Sequence, residues 1–441
     1  MDFLILIPYI LLGTLMAGLV SLIPALHIFN LAGFILLYFK FPQLLPGNAL
    51  PAFMMSLVVS WSIINTIPAL FLGAPDESAM FIVLPGQKYM MLGKGYEAAV
   101  LSGVGALGAI IVLGIGSPVI LKLFPKIRWL LIPHMGWILL LICAYIIMGE
   151  WPKATLRPKT KWGRFIDGWK SSAAGILTFI LAGLLGIFIL NKPFIPIERA
   201  FQNIMPAFVG LYAVPWVITN IISKTEIPKQ NICTSIDLDY KLAIRGTFAG
   251  VLGGSFAALL PIITGGIGGL IAGHATAQRD DRLFIISQGA SKTMYYVGGF
   301  LLFFVPYFGM YHLRRGGMAW MLSPFYVPRT IGDYFIILAT IALSAGFAFF
   351  LLLRFSRFVI KVITKFDYRL ISLFTVVILF AIVLTITGLR GIFITVVATG
   401  IGLIPVLFHS RRMNCMAILL VHMTLSMFGV EPAVLKFFHL I

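Results

Sequence analysis

Residues 250–275 read GVLGGSFAALLPIITGGIGGLIAGHA, an apolar stretch that Pro261 interrupts. Proline removes a helical hydrogen bond and clashes with the preceding turn, so one helix ends near Pro261 and another begins beyond it. In a bilayer, the freed backbone groups are tolerated only where protein or a water-filled cavity receives them. The stretch therefore predicts a broken helix whose second half directs free amide groups at an anion. The alternative is close helix packing through the small residues.

The composition places this stretch in a membrane. Of the 441 residues, 60% are hydrophobic and 11% are charged, whereas an ordinary soluble domain carries roughly 25% charged residues. Apolar segments recur along the chain, and each is long enough to cross about 30 Å of hydrocarbon. We predict an all-α polytopic membrane protein with about 11–14 spanning or half-spanning helices. We expect it in the cell (plasma) membrane as a multi-pass protein.

An earlier stretch, GTLMAGLVSLIP (13–24), shares the spacing of 250–261, since each begins with glycine and ends with proline eleven residues later. An odd number of predicted spans separates the copies, which gives them opposite orientations. We therefore predict two inverted repeats with broken or re-entrant helices, a plan found among secondary transporters with the substrate at the repeat interface. The predicted divisions are a first membrane repeat at 1–148, a connecting basic loop and helices at 149–245, and a second membrane repeat at 246–441.

The formal net charge is +18. Basic residues collect in cytoplasmic loops of membrane proteins, and this explains much of the excess, including the loop 151–170. Attraction of an anionic substrate or of anionic headgroups is the other explanation. The three cysteines are scattered, so neither a disulfide framework nor a metal site is predicted.

Polar residues next to the two proline breaks are the candidate substrate contacts. We predict a substrate site from Ser21, Pro24, His27, Asn30, Ser78, Pro261, Thr264, Gly265, Gly266, Ser287, Gln288, Ser291, Lys292 and Thr293. Hydroxyl groups, an amide and a cation suit an anionic group. The alternatives are an ordinary interfacial histidine, serine caps at helix ends, and a surface lysine at position 292.

The sequence PDES (75–78) is a candidate ion-coupling turn. Acidic groups near a membrane usually have a role, and Asp76 and Glu77 would bind Na⁺ or a proton. The alternative is a solvated cytoplasmic turn. We predict that Asp76→Asn or Lys292→Ala impairs transport while the protein still inserts and folds.

The segment 73–108 also resembles the large permease subunit of the tripartite tricarboxylate transporter family, the TctA type, and its divergent archaeal branch most closely. The matching parts are Pro75-Asp76-Glu77-Ser78, Pro85-Gly86-Gln87-Lys88-Tyr89, Gly93-Lys94-Gly95-Tyr96-Glu97-Ala98 and Ser102, with Gly13, Gly18 and Pro24 in the first helix and Gly250, Gly253 and Pro261 in its second copy. The resemblance implies a small membrane subunit and a periplasmic binding protein as partners.

The chain departs from bacterial members at two places. It has Pro75-Asp76 where they carry Pro-Gly, and SQGASKTMYYVGG (287–299) where they carry an acidic, Asn-rich stretch. Because substrate contacts are expected at both places, specificity for citrate is not carried over from the family.

Three functions remain open on the sequence. The first is an ion-coupled secondary transporter of a small organic anion, a carboxylate; it has no cofactor beyond Na⁺ or H⁺ coupling, and its partners are the anion and the bilayer, not nucleic acid. The second is a translocase of a phosphorylated lipid carrier such as a polyprenyl phosphate. The third, an intramembrane enzyme, is not expected, because the neighbouring acids lie only at segment ends. The sequence gives no oligomeric state.

Overall fold

The computed structural model describes residues 3–23, 27–37, 48–73, 78–152, 160–192, 194–195, 204–223, 227–233, 235–236, 238–260, 263–305 and 316–440. These residues form helices and connecting turns, with no strand among them. Within them, nine helices are long and apolar enough to cross a bilayer, or up to ten if a bent pair near the C-terminus forms one span. The predicted all-α polytopic membrane class is confirmed.

The helices follow one another in this order: α1 Phe3–Val20, α2 Ile28–Leu37, α3 Ala49–Ile64, α4 Val83–Met91, α5 Gly95–Ile115, α6 Ser117–Leu131, α7 Met135–Met148, α8 Lys161–Asn191, α9 Met205–Phe208, α10 Val214–Ser223, α11 Tyr240–Leu259, α12 Gly265–Ala275, α13 Asp281–Thr293, α14 Gly299–Leu301, α15 Gly316–Leu322, α16 Ile331–Lys365, α17 Tyr368–Leu407, α18 Ala417–Met427 and α19 Glu431–Phe437. Three π-helical segments, Pro68–Leu72, Val209–Ala213 and Met294–Gly298, lie between them.

The chain divides into two compact units. The first contains Met1–Arg128 and Ser223–Leu373, and the second contains Trp129–Ile222 and Phe374–Ile441. These units are not the predicted repeats, because the first unit takes in both proline-containing stretches. The repeat boundaries at 148 and 246 stay a prediction.

Two series of helices pack alike within the first unit. Helix α1 packs against α3 and α16, while α11 packs against α13 and α5. Helix α3 also packs against α16, α13 packs against α5, and α5 and α16 pack against each other. In each series two neighbouring helices pack against a third helix that lies in the other half of the chain: α16 joins α1 and α3, and α5 joins α11 and α13. This correspondence is what two copies of one packing plan would give. The inverted orientation of the copies stays a prediction.

Both broken segments are interrupted in the structure. Helix α1 ends at Val20 and α2 begins at Ile28, while α11 ends at Leu259 and α12 begins at Gly265; Pro24 and Pro261 lie outside the described residues. Helix α12 packs back against α11, and a Cβ on Gly253 would overlap the backbone of Gly268, as would the reverse. With 11 residues, α12 is roughly 16 Å long, about half of a membrane crossing.

Helix α16 is longer than its apolar stretch suggests. It contains 35 residues and continues through the basic sequence 354–365, which hydropathy alone places in a loop. Arginine and lysine are good helix formers, so the helix persists beyond the hydrocarbon until Phe366. Its start is fixed by a capping box, in which the Thr330 hydroxyl accepts from the Asp333 amide and the Asp333 carboxylate accepts from the Thr330 amide.

In the second unit, Glu150 holds together segments that are distant in the sequence. Its side chain is buried, and its Oε2 accepts hydrogen bonds from the Arg411 backbone amide at 2.7 Å and from the Asn414 Nδ2 at 3.2 Å. Its carbonyl oxygen accepts from the Ser172 hydroxyl at 2.9 Å. The carboxylate therefore joins the end of α7 to the turn that leads into α18.

We expect Glu150→Ala to lower the stability of the second unit by about 2 kcal/mol, because it removes the acceptor of the partly buried Arg411 amide and one of the two acceptors of the buried Asn414 amide nitrogen. Glu150→Gln keeps an oxygen at the same place and is expected to lose less than half as much. The measurement is the unfolding midpoint of the purified protein in detergent. Equal losses in the two variants would contradict an acceptor role for this oxygen.

Candidate functional site

The candidate site lies where two central helices of the first unit leave regular α-helical geometry. Helix α3 passes through a short turn into the π segment Pro68–Leu72, and α13 passes directly into the π segment Met294–Gly298. Such π segments occur frequently at functional sites. The residues of α3 and the polar residues at the end of α13 are almost completely buried, so their polar groups must find partners inside the protein.

A buried lysine lies at the centre of this region. Lys292, in the last turn of α13, is 2% exposed, and its Nζ donates to the Thr66 hydroxyl at 2.7 Å. The Thr66 hydroxyl lies 3.3 Å from the Ser102 hydroxyl of α5. A buried ammonium group is costly unless an anion and hydrogen bonds compensate for the water it has lost. The group is therefore well suited to hold an anion.

Gln288 lies one helical turn before Lys292 on the same face of α13. It is 2% exposed, and neither its Oε1 nor its Nε2 has a hydrogen-bond partner within the part of the chain that the structure describes. The same holds for the buried Thr293 hydroxyl. An unmade hydrogen bond on a buried group costs about 1–3 kcal/mol. Gly269 of α12 lies beside the Gln288 amide group.

The half-helix α12 starts against this face. The Thr264 hydroxyl caps it and accepts from the Ile267 amide at 3.5 Å. A Cβ on Gly265 would lie 2.9 Å from the Cα of Lys292, and the Gly265 carbonyl accepts from the Ser291 hydroxyl at 2.6 Å. The first amides of α12 and the positive end of its dipole are thus fixed beside Lys292.

The other half-helix, α2, starts at the same cluster. His27 immediately precedes α2, and its Nδ1 accepts from the Phe29 amide at 3.2 Å. Its Nε2 lies 3.0 Å from the Tyr296 hydroxyl, one turn beyond Lys292. The His27 ring also packs against Trp61 of α3, with centroids 5.5 Å apart. The N-terminal ends of the two half-helices, α2 and α12, therefore both lie against residues 288–296.

The structure brings some of the predicted site residues together. Of these, His27, Thr264, Gly265, Gln288, Lys292 and Thr293 belong to this cluster or border it, and Gly266 lies in the first turn of α12. Ser291 bonds to Gly265 of this cluster. Two buried residues bond elsewhere, since Ser21 donates to the Ala17 carbonyl and the Ser287 hydroxyl accepts from Gln278. Asn30 and Ser78 are also buried. Pro24, Asp76, Glu77 and Pro261 lie outside the described residues. The roles of all these residues stay predictions.

Sequence reasoning did not include four residues of the cluster, namely Trp61, Thr66, Ser102 and Tyr296, among the candidate contacts. Thr66 had a usable signal, because the polar pair Asn65-Thr66 comes just before Pro68 inside an otherwise apolar span. Its partnership with Lys292 joins residues 226 positions apart, and no local pattern reveals such a pair.

Comparisons with known proteins agree with this architecture. The family model for the tripartite tricarboxylate transporter TctA family matches residues 7–417. An uncharacterized protein of Methanocaldococcus jannaschii is 27% identical over 423 residues, which cover 93% of this chain and 96% of that protein. No solved structure matches the chain. The family match extends over nearly the whole of the 441 residues, and the chain therefore belongs to the tripartite tricarboxylate transporter TctA family.

Proposed function

We propose that this permease carries a small organic anion, a carboxylate, by ion-coupled secondary transport. The observation that supports it best is the buried Lys292 ammonium group at the meeting point of two half-helices. A carboxylate there would accept a charge-assisted hydrogen bond from Lys292. It would also accept from the free amides at the start of α12, which carry the positive end of the helix dipole.

The neutral groups of the cluster would bind the rest of the anion. The Gln288 amide offers two N–H donors and a carbonyl acceptor, and the Thr293 hydroxyl can donate and accept. A ligand that meets these groups presents a hydroxyl, an amide or a second carboxyl group in addition to the first carboxylate. The proposal therefore favours di- and tricarboxylates and hydroxy acids over simple monocarboxylates.

Coupling and partners complete the proposal. A Na⁺ or proton gradient drives transport, and Asp76 and Glu77 stay candidates for the coupling site. The family forms tripartite systems, which supports a small membrane subunit or a binding protein as a partner of this chain. We place the protein in the cell membrane as a multi-pass permease.

Flux into proteoliposomes tests the proposal. The purified chain is reconstituted and supplied with radiolabelled succinate, malate or citrate, with and without a Na⁺ or pH gradient. Saturable, gradient-driven uptake of at least one of them is the expected result. Absence of uptake and of exchange for every anion, together with movement of a fluorescent polyprenyl phosphate analogue, would replace the proposal with the lipid translocase.

Replacement of Gln288 by leucine is expected to change affinity and stability in opposite directions. The variant loses a hydrogen bond to the anion, which weakens binding about tenfold for a loss of about 1.4 kcal/mol. The empty protein is expected to gain about 1–2 kcal/mol, because an unsatisfied buried amide is removed. The measurements are KM in the flux assay and the unfolding midpoint without anion.

Gln230 provides the matched control. Its amide is also buried, but its Oε1 accepts from the Gly95 amide at 3.0 Å and its Nε2 donates to the Met90 carbonyl at 2.7 Å. Gln230→Leu is therefore expected to lower the unfolding midpoint. If both leucine variants destabilise the empty protein, Gln288 is not held ready for a ligand.

A further inference from the structure

His27 joins the start of α2 to the π segment Met294–Gly298 that follows α13, in a way that depends on the protonation of its ring. The Phe29 amide can only donate, so Nδ1 of His27 is the acceptor in that bond. The neutral ring then carries its proton on Nε2, which donates to the Tyr296 hydroxyl at 3.0 Å. In this arrangement Nδ1 is the only ring position that can take up another proton.

Uptake of a proton at Nδ1 changes three interactions at once. The bond from the Phe29 amide to Nδ1 breaks, because a protonated nitrogen cannot accept. A positive charge appears beside the positive end of the α2 dipole, which is unfavourable. The new charge also adds to the positive charge of Lys292, which lies one helical turn before Tyr296, the bonding partner of the ring. An anion bound in the cluster offsets both repulsions and can accept from the freed Phe29 amide.

Few other titratable groups lie on the described helices that pack around His27. Helix α2 packs against α1, α3 and α15. The described residues of these four helices include no Asp, Glu, Lys or Arg, and Tyr9 of α1 is their one titratable side chain. From the π segment Met294–Gly298, the Tyr296 hydroxyl lies 3.0 Å from Nε2 of His27, and Lys292 lies one helical turn before Tyr296. Histidine is the side chain that ordinarily titrates near neutral pH.

We infer that His27 is the proton acceptor that couples anion transport to a pH gradient, and that it acts by exchanging the Phe29 amide for the bound anion. This rests on the proposed function and specifies its coupling ion. Because coupling is reciprocal, the proton strengthens anion binding by the same factor by which the anion strengthens proton binding. Anion affinity therefore falls as pH rises through the range in which histidine loses its proton.

The test is the number of protons that enter with each anion. Proteoliposomes with an internal pH-sensitive dye and the membrane potential held at zero receive radiolabelled succinate, malate and citrate, and both fluxes are recorded. In the wild type, His27 adds one proton per anion, and a gradient of about one pH unit then drives an additional, about tenfold accumulation. In His27→Asn, which can still cap α2 through its side-chain oxygen, this additional proton is expected to be absent at any remaining flux.

Two further variants and one binding measurement make the outcome decisive. Tyr296→Phe keeps the ring but removes the hydroxyl, and it is expected to shift the pH profile of uptake. His134→Asn changes an exposed histidine far along the chain and is expected to leave the proton-to-anion ratio unchanged. If His27→Asn shows no flux, proton uptake on anion binding is measured by unbuffered titration in detergent.

The inference is overturned if the ratio is the same in His27→Asn as in the wild type, or if Na⁺ alone drives accumulation without proton movement. Absence of both uptake and exchange in the wild type for all three anions would instead contradict the proposed function itself. The two failures are therefore distinguishable.

Discussion

Lys292→Met is expected to weaken carboxylate binding at least about 100-fold, because removing one partner of a buried charge pair costs about 3–5 kcal/mol. Methionine fills much of the same volume and carries no charge, so the packing of α13 is expected to survive. In the empty protein, the variant loses the bond from the ammonium group to the Thr66 hydroxyl, which typically costs about 1 kcal/mol, but it also removes the cost of keeping a charge buried. The variant should therefore insert, purify and unfold like the wild type, yet show almost no uptake at anion concentrations that saturate the wild type.

Lys94→Met is the control for the loss of one positive charge. Lys94 precedes α5, its side chain is 57% exposed, and its Nζ lies 3.8 Å from Glu97. Pairs of this kind contribute about 0–1 kcal/mol, so uptake is expected to change less than about twofold. Uptake by Lys292→Met at the wild-type KM would remove Lys292 from the site, and a comparable loss in Lys94→Met would assign the effect to net charge.

Gly105→Ala is expected to destabilise the first unit by about 3 kcal/mol or more. A Cβ at this position of α5 would overlap the carbonyl oxygen of Ile286 in α13, and it would lie 3.1 Å from the Ala290 backbone nitrogen. Because the clash is with backbone atoms, no change of rotamer relieves it, and overpacking of this kind typically costs about 1–3 kcal/mol even where side chains can adjust. Helices α5 and α13 must separate, which also moves Ser102 away from Thr66. The unfolding midpoint in detergent measures the first effect.

Gly114→Ala on the same helix is expected to have the opposite sign. A Cβ on Gly114 meets nothing within 4 Å, while alanine is a better helix former than glycine by about 1 kcal/mol. The variant should be as stable as the wild type or slightly more stable. Similar midpoints for the two alanine variants would show that α5 and α13 do not cross as closely as described.

The sequence predicted the class of fold and the broken segments because both depend on local patterns. Hydropathy identifies membrane helices, and proline with glycine identifies where they are interrupted. The π segment at Pro68 has a proline to mark it, but the one at Met294–Gly298 has none. The π segment Met294–Gly298 depends on packing against other helices, and the sequence of the segment itself carries no sign of that packing.

The candidate site was only partly predictable for the same reason. The polar residues Gln288 and Lys292 were visible as members of a polar cluster that leads into an apolar segment, and the structure places them on one face of α13. The contacts of His27 with Tyr296 and of Lys292 with Thr66 join residues 269 and 226 positions apart. Such contacts follow from the arrangement of whole helices, and periodicity along the chain cannot reveal them.

The mutual approach of Gly253 and Gly268 limits how the transporter can move. Two backbones that touch without intervening side chains have no flexible layer between them, so α12 cannot swing independently of α11. Helices α11 and α12 therefore move as one rigid unit, and the amides at the start of α12 stay in a fixed position relative to α11. A step that opens the proposed anion site first to one side of the membrane and then to the other is therefore expected to come from displacement of the neighbouring helices, not from bending between α11 and α12.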